Sequence, residues 1–302
     1  MSLTAAAPGG SRPALAAGLV CYISWGFLPL LFIALGRVGV APWEILAQRV
    51  LWAVPVAGAL VLVSGQAAQV RATLVRPRVL GLLALSAMLI AGNWSLFIWA
   101  VNNGHNLDGS LGYFINPLLA MAAGALMFRE RIGALGWLAI GLATLGVGLQ
   151  TLAIGQFPLI ALALAVSFCA YGIIRKRVDA DAQTGLFIEC LMLAGPGLAL
   201  AWGLQAAGHG VFGRAVVPTL LLVLCGPATV IPLFLFSWAA RRLPLSIVGV
   251  LQFVAPSISF VIGLWMGEPM TPLRASSFVF IWAGAGVFGY GAWRAGRRLQ
   301  AA

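Results

Sequence analysis

The chain has 302 residues, of which 62% are hydrophobic and 8% are charged, with a net charge of +11 and a mean hydropathy of +1.01. A soluble domain carries about 25% charged residues, so this composition excludes a soluble protein and predicts an all-α integral membrane protein. The basic residues are dispersed over many short loops, whereas a nucleic-acid partner would call for one basic patch. We therefore expect membrane lipid, and no nucleic acid, as a partner.

Ten apolar stretches are each close to the roughly 20 residues that cross the hydrocarbon as a helix. The first is longer than the apolar region of a cleavable signal, about 7–15 residues, so we expect it to be retained. The loops leave no room for a soluble domain. In chain order the stretches cover residues 14–36, 42–64, 79–101, 108–128, 133–154, 158–174, 182–203, 215–238, 245–266 and 274–293.

The positions of the basic residues predict the orientation of these ten stretches. With a cytoplasmic N-terminus, 14 of the 18 Lys and Arg residues fall on the cytoplasmic side, Arg175 among them, and three fall outside. The remaining one, Arg49, lies inside a stretch. Cytoplasmic loops of membrane proteins carry an excess of Lys and Arg, so we predict that both termini are cytoplasmic.

The second half of the chain resembles the first. Residues 112–130 and 251–268 share an aromatic residue, a central proline and a terminal glutamate, which follows the proline after 13 and 12 positions. Each half holds five stretches, and because five is odd the second copy enters the membrane from the opposite face. We therefore predict ten transmembrane helices arranged as two inverted five-helix repeats, 14–154 and 158–293, a design typical of transporters.

Two prolines lie near the middle of their stretches. Pro117 and Pro256 each remove a helix hydrogen bond and free the carbonyl four residues earlier, that of Tyr113 or Gln252. In lipid such a carbonyl must face protein or a water-filled cavity. We predict paired kinks that line a cavity and permit gating, although the prolines could also serve packing alone.

Charged residues inside apolar stretches usually face a cavity or a partner. Arg49 lies inside the second stretch and Glu189 inside the seventh. The sequence leaves two interpretations open: an ion pair between them, or an Arg49 that binds a substrate carboxylate. Glu44 lies near the end of its stretch beside Trp43, where we expect an interfacial position.

Polar side chains also collect on the third and fourth stretches. Asn93 lies at mid-depth in the third, and Asp108, Tyr113 and Asn116 place polar groups along one face of the fourth. Amide and aromatic groups together suit a small amphiphilic solute. An outer turn is polar either because it faces water or because it forms the outer lip of a substrate pathway; it contains Asn102, Asn103, His105 and Asn106.

Other motifs narrow the function. The four cysteines all lie in apolar stretches without a CxxC pair, so we expect neither a metal site nor a disulfide framework. No Walker, HExxH or GxSxG motif is present, and we expect no cofactor. A stripe of small residues on the fifth stretch and the Gly263–Gly267 GxxxG could pack within the bundle or mediate a homodimer. The stripe consists of Gly136, Ala139, Ala143 and Gly146.

Several motifs spread over nearly the whole chain occur together: EILAQRVLW (44–52), NWSLFIWAVNNGHNLDGSLGYFINP (93–117), YGIIRK (171–176), QTGLFIE (183–189), FIW (280–282), Thr229, Pro232, Arg242, Leu243, Ser246, Gly249, Gln252 and Pro256. These motifs resemble those of the drug/metabolite transporter superfamily, EamA type, and within it the RarD-like permeases, which are associated by name with chloramphenicol. In that family the position before the arginine of the second stretch is often His, whereas this chain has Gln48, so no imidazole titrates there.

The resemblance implies a secondary transporter of the bacterial inner membrane that exports small metabolites or drugs and is not an enzyme. We hypothesise alternating access about a midplane site, with proton coupling through Glu189 or Asp108 unless these carboxylates are permanently paired. A passive channel is the alternative, and a membrane-embedded enzyme is the least favoured class because the chain has only two His. The expected site residues are Arg49, Asn93, Tyr113, Asn116, Glu189 and Gln252.

Overall fold

The computed structural model describes residues 8–102, 106–130, 132–154, 159–265 and 271–300. Throughout these ranges every regular element is a helix, as the composition predicts. The helices are α1 (Pro8–Arg37), α2 (Pro42–Val63), α3 (Ala67–Leu74), α4 (Pro77–Asn102), α5 (Asn106–Met127), α6 (Ala134–Ile154), α7 (Leu159–Arg177), α8 (Ala182–Ala206), α9 (Val216–Ala240), α10 (Leu245–Gln252), α11 (Val254–Trp265) and α12 (Pro272–Gln300).

Each of the ten predicted stretches coincides with one helix or, for 245–266, with the consecutive helices α10 and α11. Among the described residues, six helices are long and apolar enough to cross a membrane, namely α1, α2, α4, α7, α8 and α9. The chain is therefore a multi-pass membrane protein. The short helix α3 was not predicted, because its mixture of polar and apolar residues reads as a loop in a hydropathy profile.

The two central prolines have different effects on their helices. Helix α5 runs through Pro117 without interruption. The ninth stretch is broken at Phe253, between α10 and α11. Pro256 has no N–H to donate to the Gln252 carbonyl, and the next N–H, that of Ser257, donates to the carbonyl of Phe253 at 3.2 Å. The change of helix at Phe253 agrees with the irregularity predicted for Pro256.

The chain forms two compact units. The first unit comprises Met1–Ile98 and Ala170–Arg242, and the second comprises Trp99–Cys169 and Leu243–Ala302. Both units draw segments from each half of the sequence, so neither predicted repeat is a compact body by itself. Within the units, helices from corresponding places in the two halves pack together: α2 with α8, α5 with α10, and α6 with α12.

The second unit has a continuous apolar core in which the small-residue stripe takes part. A Cβ added to Gly146 would lie 2.7 Å from the Ser277 carbonyl oxygen, and one added to Gly284 would lie 2.7 Å from that of Ala139. The stripe on α6 therefore packs against α12, which settles its role in favour of bundle packing. Gly267 lies outside the described residues. The buried core residues are Leu111, Phe114, Ile115, Met121, Ala143, Val147, Ala161, Ala165, Phe253, Phe278 and Ile281.

Glu130, the glutamate that ends the first copy of the repeat motif, caps helix α10. Its carboxylate accepts the N–H of Leu245 at 2.5 Å, the N–H of Ser246 at 3.0 Å and the Ser246 hydroxyl at 2.6 Å. The preceding residue, Pro244, makes no side-chain cap bond. The carboxylate thus satisfies orphan donors at the N-terminus of α10, where the helix dipole favours negative charge.

Replacing Glu130 with Gln should lower the free energy of unfolding by about 1–3 kcal/mol, because charge-assisted hydrogen bonds become neutral ones. Equilibrium unfolding in mixed micelles measures the change. Asp179→Asn is the matched control, since the Asp179 carboxylate is exposed. An effect of Glu130→Gln no larger than that of the control would show that the cap does not stabilise α10.

Candidate functional site

The predicted site residues are mostly buried and are divided between the two units. Five of the six have exposed fractions of only 2–6%, whereas Tyr113 is 41% exposed. The first unit holds Arg49, Asn93 and Glu189; the second holds Tyr113, Asn116 and Gln252.

The side chain of Arg49 on α2 contacts a hydroxyl group and aromatic rings in the first unit. Its Nε donates to the Thr229 hydroxyl of α9 at 3.2 Å, and its guanidinium carbon lies 4.0 Å from the ring centroid of Trp94 on α4. The Phe32 ring lies 5.7 Å away. A guanidinium stacked on an indole is held by cation–π attraction, and such a planar group suits bidentate recognition of an anion.

Glu189 forms an ion pair with Arg175 of α7, a partner that the sequence analysis did not name. The carboxylate of Glu189 lies 3.4 Å from Nη1 of Arg175 and accepts the hydroxyl of Ser86. The two side chains of the ion pair are 0% and 3% exposed. Glu189 therefore belongs to a buried ion pair with α7, while Arg49 is directed toward Thr229.

Arg175 is the main residue that sequence reasoning misplaced. We counted it among cytoplasmic loop residues, yet helix α7 continues to Arg177 and Arg175 is fully buried. Its Nε donates to the Ser237 hydroxyl at 3.1 Å and its Nη2 to the Ala182 carbonyl at 3.0 Å. Both members of the pair lie in motifs already singled out in the sequence, Arg175 in YGIIRK and Glu189 in QTGLFIE.

Gly185 makes room for this arginine, because a Cβ at that position would overlap Nη1 of Arg175. Replacing Gly185 with Ala should displace the guanidinium and cost about 1–3 kcal/mol of stability, as overpacking generally does. Thermal unfolding of the purified protein measures this. Gly195→Ala on the same helix, where a Cβ meets nothing within 4 Å, should be neutral or stabilising; equal melting temperatures for the two variants would contradict the assignment.

Glu44 lies in the first turn of α2 and is buried by protein, a burial that the sequence did not indicate. It is 2% exposed and accepts the N–H of Val211 at 2.7 Å and that of Phe212 at 2.8 Å. Trp43 beside it is 40% exposed, as an interfacial residue should be. Glu44 thus anchors the loop before α9.

A polar network holds α3 against the loop that follows α7. The Asp181 carboxylate accepts the amide of Gln69 at 3.1 Å and that of Gln66 at 3.3 Å. Asp179 pairs with Arg76 at 2.5 Å, and the hydrogen bond and charge of Arg76 lower the pKa of Asp179. This network is near the surface and positions helices; it has no feature of a solute site.

A cavity of about 20 Å³ lies in the first unit. That volume corresponds to about one water molecule, far below the roughly 300–1,000 Å³ of a typical ligand pocket. A solute can enter this part of the unit only if the helices move. The cavity is lined by Val50, Ala53, Ile90, Trp94, Tyr171, Leu186, Glu189, Cys190, Leu193, Thr229 and Leu233.

In the second unit Asn116 and Gln252 are each 5% exposed, and neither side-chain oxygen has a hydrogen-bond partner among the described residues. The side chain of Asp108 and the turn at 103–105 lie outside the described residues. Within those residues no cluster of three His, Cys, Asp or Glu side chains could hold a metal ion.

The helical fold and the polar groups buried in its apolar helices define a multi-pass membrane protein with polar chemistry inside its spans. The EamA-like transporter family matches residues 12–152. An uncharacterized transporter of Vibrio cholerae is 39% identical over 93% of this chain and 93% of its own length. Protein RarD of Salmonella typhimurium is 40% identical over 92% of this chain and 95% of its own.

The chain belongs to the RarD-like permeases of the drug/metabolite transporter superfamily, and it is a membrane transporter. This confirms the resemblance seen in the sequence motifs. A solved crystal structure, 19% identical, matches with a TM-score of 0.72 over 93% of this chain and 98% of its own. At that identity the match supports the fold alone.

Proposed function

We propose that the protein is a secondary transporter of the bacterial inner membrane that exports small metabolites or drugs by alternating access. Its ten stretches would cross the membrane as two inverted five-helix repeats with both termini in the cytoplasm. The packing of α2 with α8, α5 with α10 and α6 with α12 supports this symmetry, because each pair joins corresponding positions of the two halves.

The observation that carries the proposal is the buried guanidinium of Arg49. A charge inside a spanning helix is costly and is retained where it meets a partner or a pathway. The Nε of Arg49 donates to a hydroxyl and its plane lies against an aromatic face, so the guanidinium is held in a fixed orientation, as bidentate recognition of an anion requires. We infer that this group binds an anionic part of the solute, with Asn93 of α4 close in sequence to the stacked Trp94.

The ion pair of Glu189 bears on energy coupling. Its salt bridge with Arg175 and its hydrogen bond from Ser86 favour a permanently paired carboxylate over one that exchanges protons with solvent. We therefore infer that Glu189 has a structural role. Proton coupling, if the transporter uses it, would fall to Asp108.

The experiment is counterflow in proteoliposomes loaded with a panel of amino acids and chloramphenicol, with and without an imposed pH gradient. Saturable exchange driven uphill by the gradient is the expected result for a proton-coupled carrier. Saturable exchange without a response to the gradient would support a carrier but remove proton coupling. Flux that neither saturates nor accumulates would favour a passive channel and overturn alternating access.

A further inference from the structure

Two buried amide side chains in the second unit each have an oxygen without the hydrogen-bond partner that a buried amide oxygen normally has. Asn116 on α5 and Gln252 at the end of α10 are each 95% buried, and the oxygen of each has no hydrogen-bond partner among the described residues. Buried polar side chains are overwhelmingly hydrogen-bonded, and each exception calls for an explanation. Leaving such a group unsatisfied destabilises the folded protein.

The helix register brings the two amides to the same level. A Cβ built on Gly124 would lie 3.0 Å from the Ser246 nitrogen, and one on Gly249 would lie 2.8 Å from the Pro117 carbonyl oxygen. Residues nearer the C-terminus of α10 therefore lie beside residues nearer the N-terminus of α5, so the two helices are antiparallel. One further turn of α10 carries the chain from Gly249 to Gln252, level with the turn of α5 that contains Asn116.

The backbone beside this pair is irregular. Helix α10 ends at Gln252, and the chain changes helix at Phe253 because of Pro256. In membrane transporters, interrupted helices mark solute sites, because non-helical backbone at membrane depth is tolerated only against protein or a water-filled cavity. The break at Phe253, directly after Gln252, is independent of the missing hydrogen bonds of the side-chain oxygens, and both observations point to the same place.

We propose that Asn116 and Gln252 form a subsite that recognises an uncharged hydrogen-bonding group of the solute, a carboxamide or a hydroxyl. A side-chain amide offers an acceptor and donors, so two of them complement a group that donates and accepts at once. This rests on the proposed transport function and deepens it, because it names the chemical class of the solute group that the second unit would recognise.

The test uses pairs of solutes that differ in the neutral group, measured in two ways. Asparagine is compared with leucine, and serine with alanine, by thermal shift of the purified protein and by counterflow; chloramphenicol, which carries amide and hydroxyl groups, is a further probe. The variants are Asn116→Leu and Gln252→Met, which keep side-chain size. The control is Gln205→Met. In the unmodified protein the Gln205 amide donates a hydrogen bond to the Phe212 carbonyl at 3.0 Å.

We expect the unmodified protein to prefer each polar member by about 10-fold or more in half-saturating concentration, the scale of an unsatisfied buried group. Asn116→Leu and Gln252→Met should abolish that preference while melting at the same or a higher temperature. Gln205→Met should melt lower and keep the preference. An amide with a purely structural role would not give this combination, in which the melting temperature is kept or raised while the preference for the polar solute is lost.

Two results would overturn the subsite: no preference for any polar member in the thermal shift, or a preference that both variants retain. Failure of the proposed transport function looks different. A polar solute that shifts the melting temperature through Asn116 and Gln252 but shows no counterflow would support the subsite and contradict transport of that solute.

Discussion

Replacing Arg175 with Met should lower the free energy of unfolding by about 3–5 kcal/mol, the usual cost of leaving one charge of a buried pair without its partner. The substitution strands Glu189 and also removes donors from the Ser237 hydroxyl and the Ala182 carbonyl. Equilibrium unfolding in mixed micelles, followed by the helical circular dichroism signal, measures the loss. This is the largest effect on stability that we expect for any single substitution in the protein.

The double variant Arg175→Met with Glu189→Leu should recover most of that loss, because apolar residues of similar volume often replace a buried pair at little cost. Arg76→Met is the matched control: its salt bridge with Asp179 is exposed, and exposed pairs contribute little. A double variant as unstable as Arg175→Met alone would show that the loss comes from packing and not from the stranded charge.

Replacing Arg49 with Ala should reduce solute exchange by at least about 30-fold, because truncation of a buried, hydrogen-bonded charge that meets an opposite charge costs about 2–5 kcal/mol of binding. Counterflow in proteoliposomes measures it. Arg49→Lys keeps the charge but loses the planar surface that lies 4.0 Å from the Trp94 ring centroid, so we expect it to restore only part of the activity.

Thr229→Val is the control for this experiment. It removes the hydroxyl at 3.2 Å from Nε of Arg49 while leaving the guanidinium and its stacking on Trp94. We expect a reduction of only a few-fold, in line with a single hydrogen bond of about 0.5–1.5 kcal/mol. Exchange by Arg49→Ala at the rate of the unmodified protein would remove Arg49 from the solute site.

The helices were predictable from the sequence, whereas their partners were not. Each long helix corresponds to an apolar stretch because lipid requires roughly 20 apolar residues per span, and that length is visible in the sequence. Glu189 was identified because a charge inside such a stretch is conspicuous. Its partner Arg175 lies one position beyond the predicted end of its stretch, where a buried arginine and a loop arginine look the same.

Local irregularities also escaped prediction, for a related reason. A hydropathy profile averages over many residues, so it merges α10 and α11 into one stretch and overlooks the eight residues of α3. Proline chemistry predicts a disturbance near both Pro117 and Pro256, yet only the second helix is divided. The amide pair was foreseen as polar and buried, but its missing hydrogen bonds can be recognised only from coordinates.

The way in which the first unit is assembled has a consequence for biosynthesis. Helix α1 packs against α9, and α2 packs against both α8 and α9. The hydroxyl that accepts a hydrogen bond from Arg49 belongs to a residue 180 positions later in the chain. At about 5–20 residues per second the ribosome needs roughly 10–40 s to supply it. During that interval Arg49 can already stack on Trp94, but it lacks the Thr229 hydroxyl, and Glu44 lacks the N–H groups of Val211 and Phe212. We therefore expect the polar contacts of α2 to be completed only after α9 has been translated.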